Sequence, residues 1–319
     1  MKYGFALAGR GPLASGEMLV RMAKKGEELG YDAVLMGDHV LVPKEISSPY
    51  PYTPSGEFPG AGAGDAMEMI TLLAYIAGQT SKIRLVTSVL IVPYRPVLLA
   101  AKALATLDVL SGGRLVVGIG VGWMREEFEA LGVPPFEERG AVTDEYIRAF
   151  KELWTSDNPN FAGKYVSFDN INFLPKPLQK PHPPIWVGGE SRPALRRTAE
   201  LANGWYPLGA NPSFPMATPQ QLTAGLQRLA DYARRFGRDP AEIDVIYRAP
   251  AIELQESPGP AGDGRVPFVG NGEQIAGDIR QFQELGVGSL VIDFIRDTED
   301  LDVVFGRMER FADQVWPKV

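Results

Sequence analysis

The chain of 319 residues contains no cysteine and only two histidines, His39 and His182. The absence of thiols excludes a disulfide framework, a thiolate zinc site and a cysteine nucleophile. Two histidines are too few for a multi-histidine metal centre, and the scattered carboxylates form no recognisable ligand pattern, so we expect no bound metal. Long apolar runs are missing as well, because none approaches the ~18 residues of a membrane span.

Positive charge is in the minority, with 32 Lys and Arg against 39 Asp and Glu and a net charge of −7. This balance argues against a general nucleic-acid binder, although it permits a local basic pocket. The apolar stretch at the N-terminus is too short for a signal-peptide core and is interrupted by Arg10. The sequence therefore predicts a cytoplasmic protein with a small-molecule substrate and no membrane or nucleic-acid partner.

Short apolar runs alternate regularly with longer segments of helical periodicity. The predicted strands are 2–8, 33–39, 83–90, 115–122, 184–189, 204–208, 243–254 and 289–294. The predicted helices are 14–30, 66–80, 97–110, 138–154, 193–202, 218–236, 271–285 and 298–315. Eight such units imply an α/β fold with a parallel sheet, and at this length they favour a closed (β/α)8 TIM barrel over an open doubly wound sheet. We expect one domain over residues 1–319.

Three segments do not fit the repeat, namely 41–65, 157–183 and 255–267, and all are rich in proline and glycine or polar turn formers. The first and third follow predicted strands two and seven, so we expect them at the C-terminal face, where barrel active sites lie. Each is either a lid or a mobile surface loop without a role. The middle segment belongs to the opposite face, as a structural excursion or a subunit contact.

The residues at the C-terminal ends of the strands are the candidate site residues. His39, beside Asp38, suits acid–base work near neutral pH, although a packed structural histidine is the alternative. His182 lies in a proline run and is interpreted as an ordinary loop residue. The other candidates are Thr87, Ser88 and Val89 after strand three, the glycine motif 118–122, the segment 188–191, and Trp205 in strand six.

Two glycine-containing motifs could contact a ligand. The GxGxG of residues 118–122 is a weak dinucleotide signal, and its glycines either admit a flat ligand or allow tight packing. The GGES of residues 188–191 directly precedes a predicted helix, whose free amides suit a phosphate. Arg192, Arg196 and Arg197 would add positive charge there, whereas Ser191 as an ordinary N-cap is the alternative.

Taken together, GYDAVLMGDH, IRLVTSVLIVPYRPVLLAAKALATLDVLSGGRLVVGIGVGWMREEF and PPIWVGGESRPALRRTAELANGWYPLG resemble the bacterial luciferase-like monooxygenase superfamily. The resemblance covers nearly the whole chain and is strongest for the branch that uses the deazaflavin coenzyme F-420. It implies that His39, next to Asp38, lies beside the coenzyme ring as proton donor or acceptor. The remaining coenzyme contacts that it implies are a non-proline cis peptide at Ser88–Val89 after Thr87, a ring pocket of Gly120, Val121 and Gly122, and a phosphate site of Gly188, Gly189, Glu190 and Ser191, with Trp205 nearby.

The chain departs from the sugar-phosphate dehydrogenase of that branch at two acidic positions. It has Gly122-Trp123 where a catalytic acid is expected and Ala8-Gly9-Arg10 where another is expected. These departures imply a larger, more apolar substrate pocket. Further candidate contacts in that pocket are Arg10, Tyr94 and Arg248.

The resulting hypothesis is an F-420-dependent oxidoreductase that exchanges a hydride between C5 of the deazaflavin and a small organic substrate. One alternative is an FMN-dependent monooxygenase of the same superfamily. Another is a non-catalytic barrel that binds a flavin or another ligand. The resemblance also suggests a homodimer.

Overall fold

The computed structural model describes residues 1–62, 66–260 and 265–319. Within these ranges eight parallel strands form the barrel in the order β3-β2-β1-β8-β7-β6-β5-β4, and a short ninth strand, Leu90–Ile91, pairs with the last of them. They are β1 (Lys2–Ala6), β2 (Ala33–Met36), β3 (Arg84–Thr87), β4 (Leu115–Gly120), β5 (Ile185–Gly188), β6 (Gly204–Tyr206), β7 (Asp244–Arg248) and β8 (Val287–Ile292). β3 also pairs with β4, Leu85 opposite Leu115 and Val86 opposite Val116, which closes the sheet. The predicted (β/α)8 barrel is confirmed.

Helices surround the strands in chain order. In the described residues they are α1 (Gly16–Leu29), α2 (Met69–Ala77), α3 (Val97–Leu110), α4 (Arg125–Leu131), α5 (Arg139–Thr155), α6 (Arg192–Leu201), α7 (Pro219–Arg235), α8 (Gly272–Glu284) and α9 (Leu301–Gln314). Single 3-10 turns occur at Pro12–Ala14, Val92–Tyr94, Phe136–Glu138, Pro240–Glu242 and Trp316–Lys318. None of the helices in this part of the chain is long and apolar enough to cross a membrane.

Both faces of the strands are buried, as their continuous apolar runs predict. Side chains that fill the barrel interior are Ala33, Leu35, Val86, Val116, Trp186, Tyr206, Ile246 and Val291. A larger core lies between the strands and the helices, and its largest fully buried members include Phe5, Phe150, Trp154 and Trp205.

Two predicted boundaries differ from the structure for identifiable reasons. The predicted strand 243–254 ends at Arg248, because Pro250 has no N–H for a sheet ladder. Glu253–Leu254 instead pairs with Val269–Gly270 in a separate two-stranded sheet. The helix α4 was not predicted at all, although Glu126 and Glu127 in its first turn and the left-handed Gly132 at its C-cap are regular helix signals.

The three insertions lie where the strand order predicts them. The first follows β2 and the third follows β7, with residues 63–65 and 261–264 outside the described ranges. The middle insertion lies at the N-terminal ends of the strands, since Gln179 donates to Asp108 and to the carbonyl of Leu115 at the start of β4. Within it, Phe161–Ala162 pairs with Ser167–Phe168 in a short antiparallel hairpin.

Glu27 fastens α1 to the loop before β3. Its carboxylate accepts hydrogen bonds from the backbone N–H of Ser81 (2.9 Å), Lys82 (2.7 Å) and Ile83 (2.9 Å). Partial burial opposes ionisation, but these backbone donors outweigh it and lower the pKa of Glu27 from 4.5 to about 2. The ionised carboxylate therefore stabilises the folded state.

We expect Glu27→Gln to lower the free energy of unfolding at pH 7 by about 1–2 kcal/mol, a range that allows for solvent screening at this half-exposed site. The folded-state pKa lies below the unfolded value, so this contribution is complete above about pH 4.5 and is lost as the pH falls towards 2. Urea unfolding at pH 7 and at pH 3.5 measures it. The exposed neighbour substitution Glu28→Gln is the control, and a pH-independent deficit in Glu27→Gln would contradict the assignment.

Candidate functional site

The C-terminal ends of the eight strands meet at one mouth of the barrel, and His39 lies there, three residues after β2. Its Nδ1 lies 2.8 Å from Oε2 of Glu127, whose side chain is completely buried. Nε2 of His39 meets no partner within the described part of the chain, and the imidazole is partly open to solvent. The ring is thus fixed through one nitrogen and available through the other.

The Glu127 carboxylate collects four hydrogen bonds. Oε1 accepts from the backbone N–H of Val40 (2.8 Å) and Leu41 (3.3 Å), while Oε2 accepts from Tyr94 Oη (2.9 Å) and His39. An ionised carboxylate only accepts, so we assign the proton of a neutral His39 to Nδ1 and an acceptor lone pair to Nε2. Burial raises the pKa of Tyr94, and its neighbour Glu127 raises it further, so the phenol remains a donor.

Sequence reasoning missed Glu127, although it singled out Tyr94. The residue lies in α4, a helix that the sequence pattern did not predict, directly after the glycine motif. Two adjacent acidic residues in the first turn of a short helix were the available signal, because such carboxylates can reach neighbouring backbone donors. The sequence could not show that His39 and Glu127, which are 88 residues apart along the chain, are in contact.

The neighbouring carboxylate of Glu126 anchors the first insertion. Its Oε1 accepts from the backbone N–H of Ser47 (2.8 Å) and Ser48 (2.9 Å), and the N–H of Arg125 donates to the Ser48 hydroxyl. The start of α4 therefore fixes the insertion at several points between residues 40 and 48. The described part of this insertion, residues 41–62, is hereafter called the lid.

Aromatic rings from the lid pack against the mouth. The Phe58 ring lies 5.2 Å from His39 and 5.2 Å from Trp123, and Tyr50 lies 5.0 Å from Trp123, all between centroids. Arg10 stands over Phe58, with its guanidinium carbon 5.3 Å from the ring centroid. Burial raises the pKa of Tyr50 despite nearby arginines, so its hydroxyl stays neutral. His39 consequently sits under an apolar wall with one cation at its edge.

The contacts of Asp38 are with Arg95 and the backbone of Ile91. The carboxylate, 5% exposed, accepts two hydrogen bonds from Arg95 at 2.7 and 2.8 Å and a third from the N–H of Ile91. Burial raises the pKa of Asp38, and the Arg95 guanidinium counteracts that effect. Arg95 in turn pairs with Glu68 before α2. Asp38 thus connects the end of β2 to the segment after β3.

The segment after β3 forms a bulge into the barrel. The Ser88–Val89 peptide bond is cis, as the family resemblance implied. Thr87 donates its hydroxyl to the carbonyl of Gly118 at 2.7 Å, and the Ser88 and Tyr206 hydroxyls lie 3.0 Å apart. Val89 remains partly exposed between the interior cluster and the mouth.

Protein atoms fill the space beside the glycines of β4. A Cβ at Gly118 would overlap the carbonyl oxygen of Thr87, and one at Gly120 would overlap the Val89 side chain. A Cβ at Gly122, which has φ +84°, would likewise overlap the side chains of Phe128 and Ile91. These glycines accommodate the Thr87–Val89 bulge and the packing of α4, which leaves half-buried Val121 as the side chain of this motif at the mouth.

The segment 188–191 ends β5 and begins α6. Gly188 lies against Val89, Gly189 has φ +106°, and the Ser191 hydroxyl caps the helix by accepting from the N–H of Ala194. The Glu190 side chain is buried and turns to the N–H of Leu208 and to Asn211, at 2.7 and 2.6 Å. Burial raises the pKa of Glu190, while these donors lower it.

Three predicted contributors near this helix have other contacts. Trp205 is fully buried, and its indole N–H donates to the carbonyl of Gly189 at 2.9 Å. It therefore supports the turn at Gly189 from the core side. Arg197 pairs with Asp144, and Arg196 pairs with Asp144 and Glu200. Of the three arginines noted in the sequence, only exposed Arg192 forms no ion pair within the described ranges.

Arg248, at the end of β7, completes the polar side of the mouth. Its guanidinium lies 3.7 Å from the carboxylate of Asp293 after β8 and close to Tyr206. Burial lowers the pKa of Arg248, but neighbouring Tyr206 and Asp293 outweigh this and raise it, so its charge is permanent. Together with Arg10, which like Arg248 lies near Tyr50, it places two guanidinium groups at the mouth.

Sequence relatives of the chain fall into two groups. An FMNH2-dependent dimethylsulfone monooxygenase of Pseudomonas putida is 41% identical over 154 residues, which cover 48% of this chain and 42% of that protein. The chain therefore matches less than half the length of this relative. An uncharacterised protein of Mycobacterium bovis is 31% identical over 306 residues, or 94% of this chain and 95% of its own.

Solved structures share the fold. The monooxygenase RslO1 from Streptomyces bottropensis superposes with a TM-score of 0.78 at 23% identity over 99% of each chain. The coenzyme F420-dependent tetrahydromethanopterin reductase of Methanopyrus kandleri does so with a TM-score of 0.75 at 17% identity, covering 99% of this chain and 98% of that one. The family model for luciferase-like monooxygenases matches residues 1–257. The chain therefore belongs to the luciferase-like monooxygenase family.

Proposed function

We propose that this protein is an oxidoreductase that uses coenzyme F-420 and exchanges a hydride with a small organic substrate at the barrel mouth. The observation that carries the proposal is the His39–Glu127 pair, a partly exposed imidazole fixed by a buried carboxylate at 2.8 Å. Hydride exchange at a carbon bonded to oxygen or nitrogen requires a proton carrier beside it, and histidine suits that task near neutral pH.

The mouth offers suitable contacts for both ends of the coenzyme. Val89 and Val121 would contact the ring, since both are partly exposed and apolar. The space beside the neighbouring glycines is already filled by protein atoms. The backbone N–H groups at the start of α6 would hold the phosphate, because helix N-termini favour anions. Arg192 would add charge, and the Glu190 carboxylate is engaged by Leu208 and Asn211.

The coenzyme and the residues of the chain would have separate roles. The deazaflavin supplies hydride exchange at its C5 when bound. Glu127 holds Nδ1–H of His39, so Nε2 is the atom that takes or gives the substrate proton. Phe58, Tyr50 and Trp123 limit water at this position, and Arg10 and Arg248 favour substrates with a negative or strongly polar group.

A second candidate is an FMNH2-dependent monooxygenase. The observation that favours it is the 41% identity with the dimethylsulfone enzyme over about half of this chain. The same contacts would serve, because both coenzymes carry a phosphate on a ribityl chain. A homodimer stays a prediction for either candidate.

Titration of the purified protein with each coenzyme separates the two. We expect F-420 to bind with a Kd at least tenfold lower than that of FMN, whether the coenzymes are oxidised or reduced, and calorimetry or coenzyme fluorescence measures both. Tight binding of FMN without binding of F-420 would replace the proposal by the monooxygenase. Binding of F-420 without turnover of any substrate in a broad alcohol, aldehyde and imine panel would indicate a non-catalytic binder.

The tautomer of His39 tests its assigned role without a substrate. With only two histidines, the ¹⁵N-histidine NMR spectrum is simple, and a His182→Asn variant assigns it. We expect neutral His39 to carry its proton on Nδ1 in the unmodified protein and on Nε2 in Glu127→Gln, because a glutamine amide can donate to Nδ1.

Activity measurements complete this test. We expect Glu127→Gln to lower kcat about tenfold with little change in coenzyme affinity, and His39→Ala to lower kcat about 10²-fold or more. Glu126→Gln is the matched control, since it changes the adjacent carboxylate, which anchors the lid but does not touch His39. An unchanged tautomer in Glu127→Gln, or full activity in His39→Ala, would sink the assignment.

A further inference from the structure

The side chain of Tyr94, a candidate contact in the sequence that the proposed mechanism does not use, is buried. It is 5% exposed, ends the 3-10 turn Val92–Tyr94, and packs its ring edge-to-face against Phe128 of α4 with 5.0 Å between centroids. Its Oη donates to Oε2 of Glu127 at 2.9 Å. The hydroxyl is thus directed at the carboxylate that fixes His39, and Tyr94 acts on the mouth only through Glu127.

Two side-chain donors share a single oxygen of Glu127. Nδ1 of His39 lies 2.8 Å from the same Oε2, while Oε1 accepts from the backbone N–H groups of Val40 and Leu41. A carboxylate has about four lone-pair sites, so these four donors occupy all of them. The Glu127 side chain is completely buried, and a buried charge is tolerated where hydrogen bonds compensate it. Every site on this carboxylate is therefore taken, and the phenol takes the one beside the imidazole.

The hydrogen bond from Tyr94 affects the imidazole in a predictable direction. Each hydrogen bond to an ionised carboxylate stabilises its charge and makes its oxygen less basic. Oε2 therefore attracts the Nδ1 proton of His39 less strongly than it would without the phenol, and it stabilises an imidazolium less. Burial raises the pKa of Tyr94, and Glu127 raises it further, so the phenol keeps its proton throughout the neutral range.

We infer that Tyr94 is a positioning residue that limits the basicity of Nε2 of His39 through the shared oxygen of Glu127. This inference rests on the proposed function, in which His39 carries the substrate proton. A carrier that is too basic would retain the proton that it takes, whereas transfer in both directions requires that the proton also leaves. Tyr94 thus affects proton transfer without contacting coenzyme or substrate.

The remaining charged or titratable groups near His39 contact other partners. The carboxylate of Asp38 is engaged by Arg95. Arg10 lies over the lid phenylalanine that packs against the imidazole, and Tyr50 contacts that same ring. A substitution that removes only the phenol of residue 94 leaves all these contacts in place, so its effect on the imidazole is transmitted by Glu127.

Two changes of opposite sign at Tyr94 test the inference. NMR titration of the ¹⁵N-histidine-labelled full chain, without coenzyme or substrate, gives the pH midpoint of His39 protonation. We expect Tyr94→Phe to move this midpoint to higher pH by about 0.5–1 pH unit, because one hydrogen bond to Glu127 is lost. Tyr94→3-fluorotyrosine, which preserves the shape of the site and is a stronger donor, should move the midpoint to lower pH.

Activity measurements and a control complete this test. We expect the pH profile of kcat/KM in Tyr94→Phe to move in the same direction, with the Kd of the coenzyme changed less than twofold. Tyr31→Phe is the matched control, since it removes a buried hydroxyl that donates to the Met308 carbonyl at the other end of β2 from His39. An unchanged midpoint or a shift of the wrong sign in either Tyr94 variant, or an equal shift in Tyr31→Phe, would overturn the inference. Failure of F-420 to bind would instead overturn the proposed function, because the titration needs no coenzyme.

Discussion

Closure of the barrel between β3 and β4 is the constraint on which the rest of the molecule depends. The eight strands bury both faces, so an open edge at this seam would expose apolar residues and unpaired backbone groups. Immediately after the two paired positions, Thr87 donates to the Gly118 carbonyl, and the chain bulges through Ser88 and Val89 into the mouth. Closure therefore determines where the bulge lies, and β4 must carry glycine opposite it.

The same closure brings remote segments to one carboxylate. Glu127 follows β4, His39 follows β2 and Tyr94 follows β3, yet their side chains meet within hydrogen-bond distance. Because Oε1 also accepts from the backbone N–H groups of Val40 and Leu41, where the lid begins, the group that orients the imidazole also fixes the segment that covers it. Lid position and histidine tautomer are thus coupled through a single side chain.

Sequence reasoning predicted what depends on periodicity and short motifs. The apolar runs predicted the eight strands, and the GGES motif of residues 188–191 predicted the start of α6. It could not predict which partner satisfies each polar group, because those pairs join distant segments. Glu127 was therefore missed, the Glu190 carboxylate turned out to face Asn211, and Arg196 and Arg197 proved to be engaged by Asp144.

The glycines show why a motif alone does not define a ligand site. Gly120 looks like an opening for a flat molecule, but the Val89 side chain occupies that space, and Gly204 is likewise covered by the Trp186 indole. In both cases the glycine makes room for a neighbouring side chain and not for a ligand. At the mouth, the proposed coenzyme contact is therefore the partly exposed Val89 and not Gly120. A ligand site in such a barrel is therefore better sought at the side chain that a glycine accommodates than at the glycine itself.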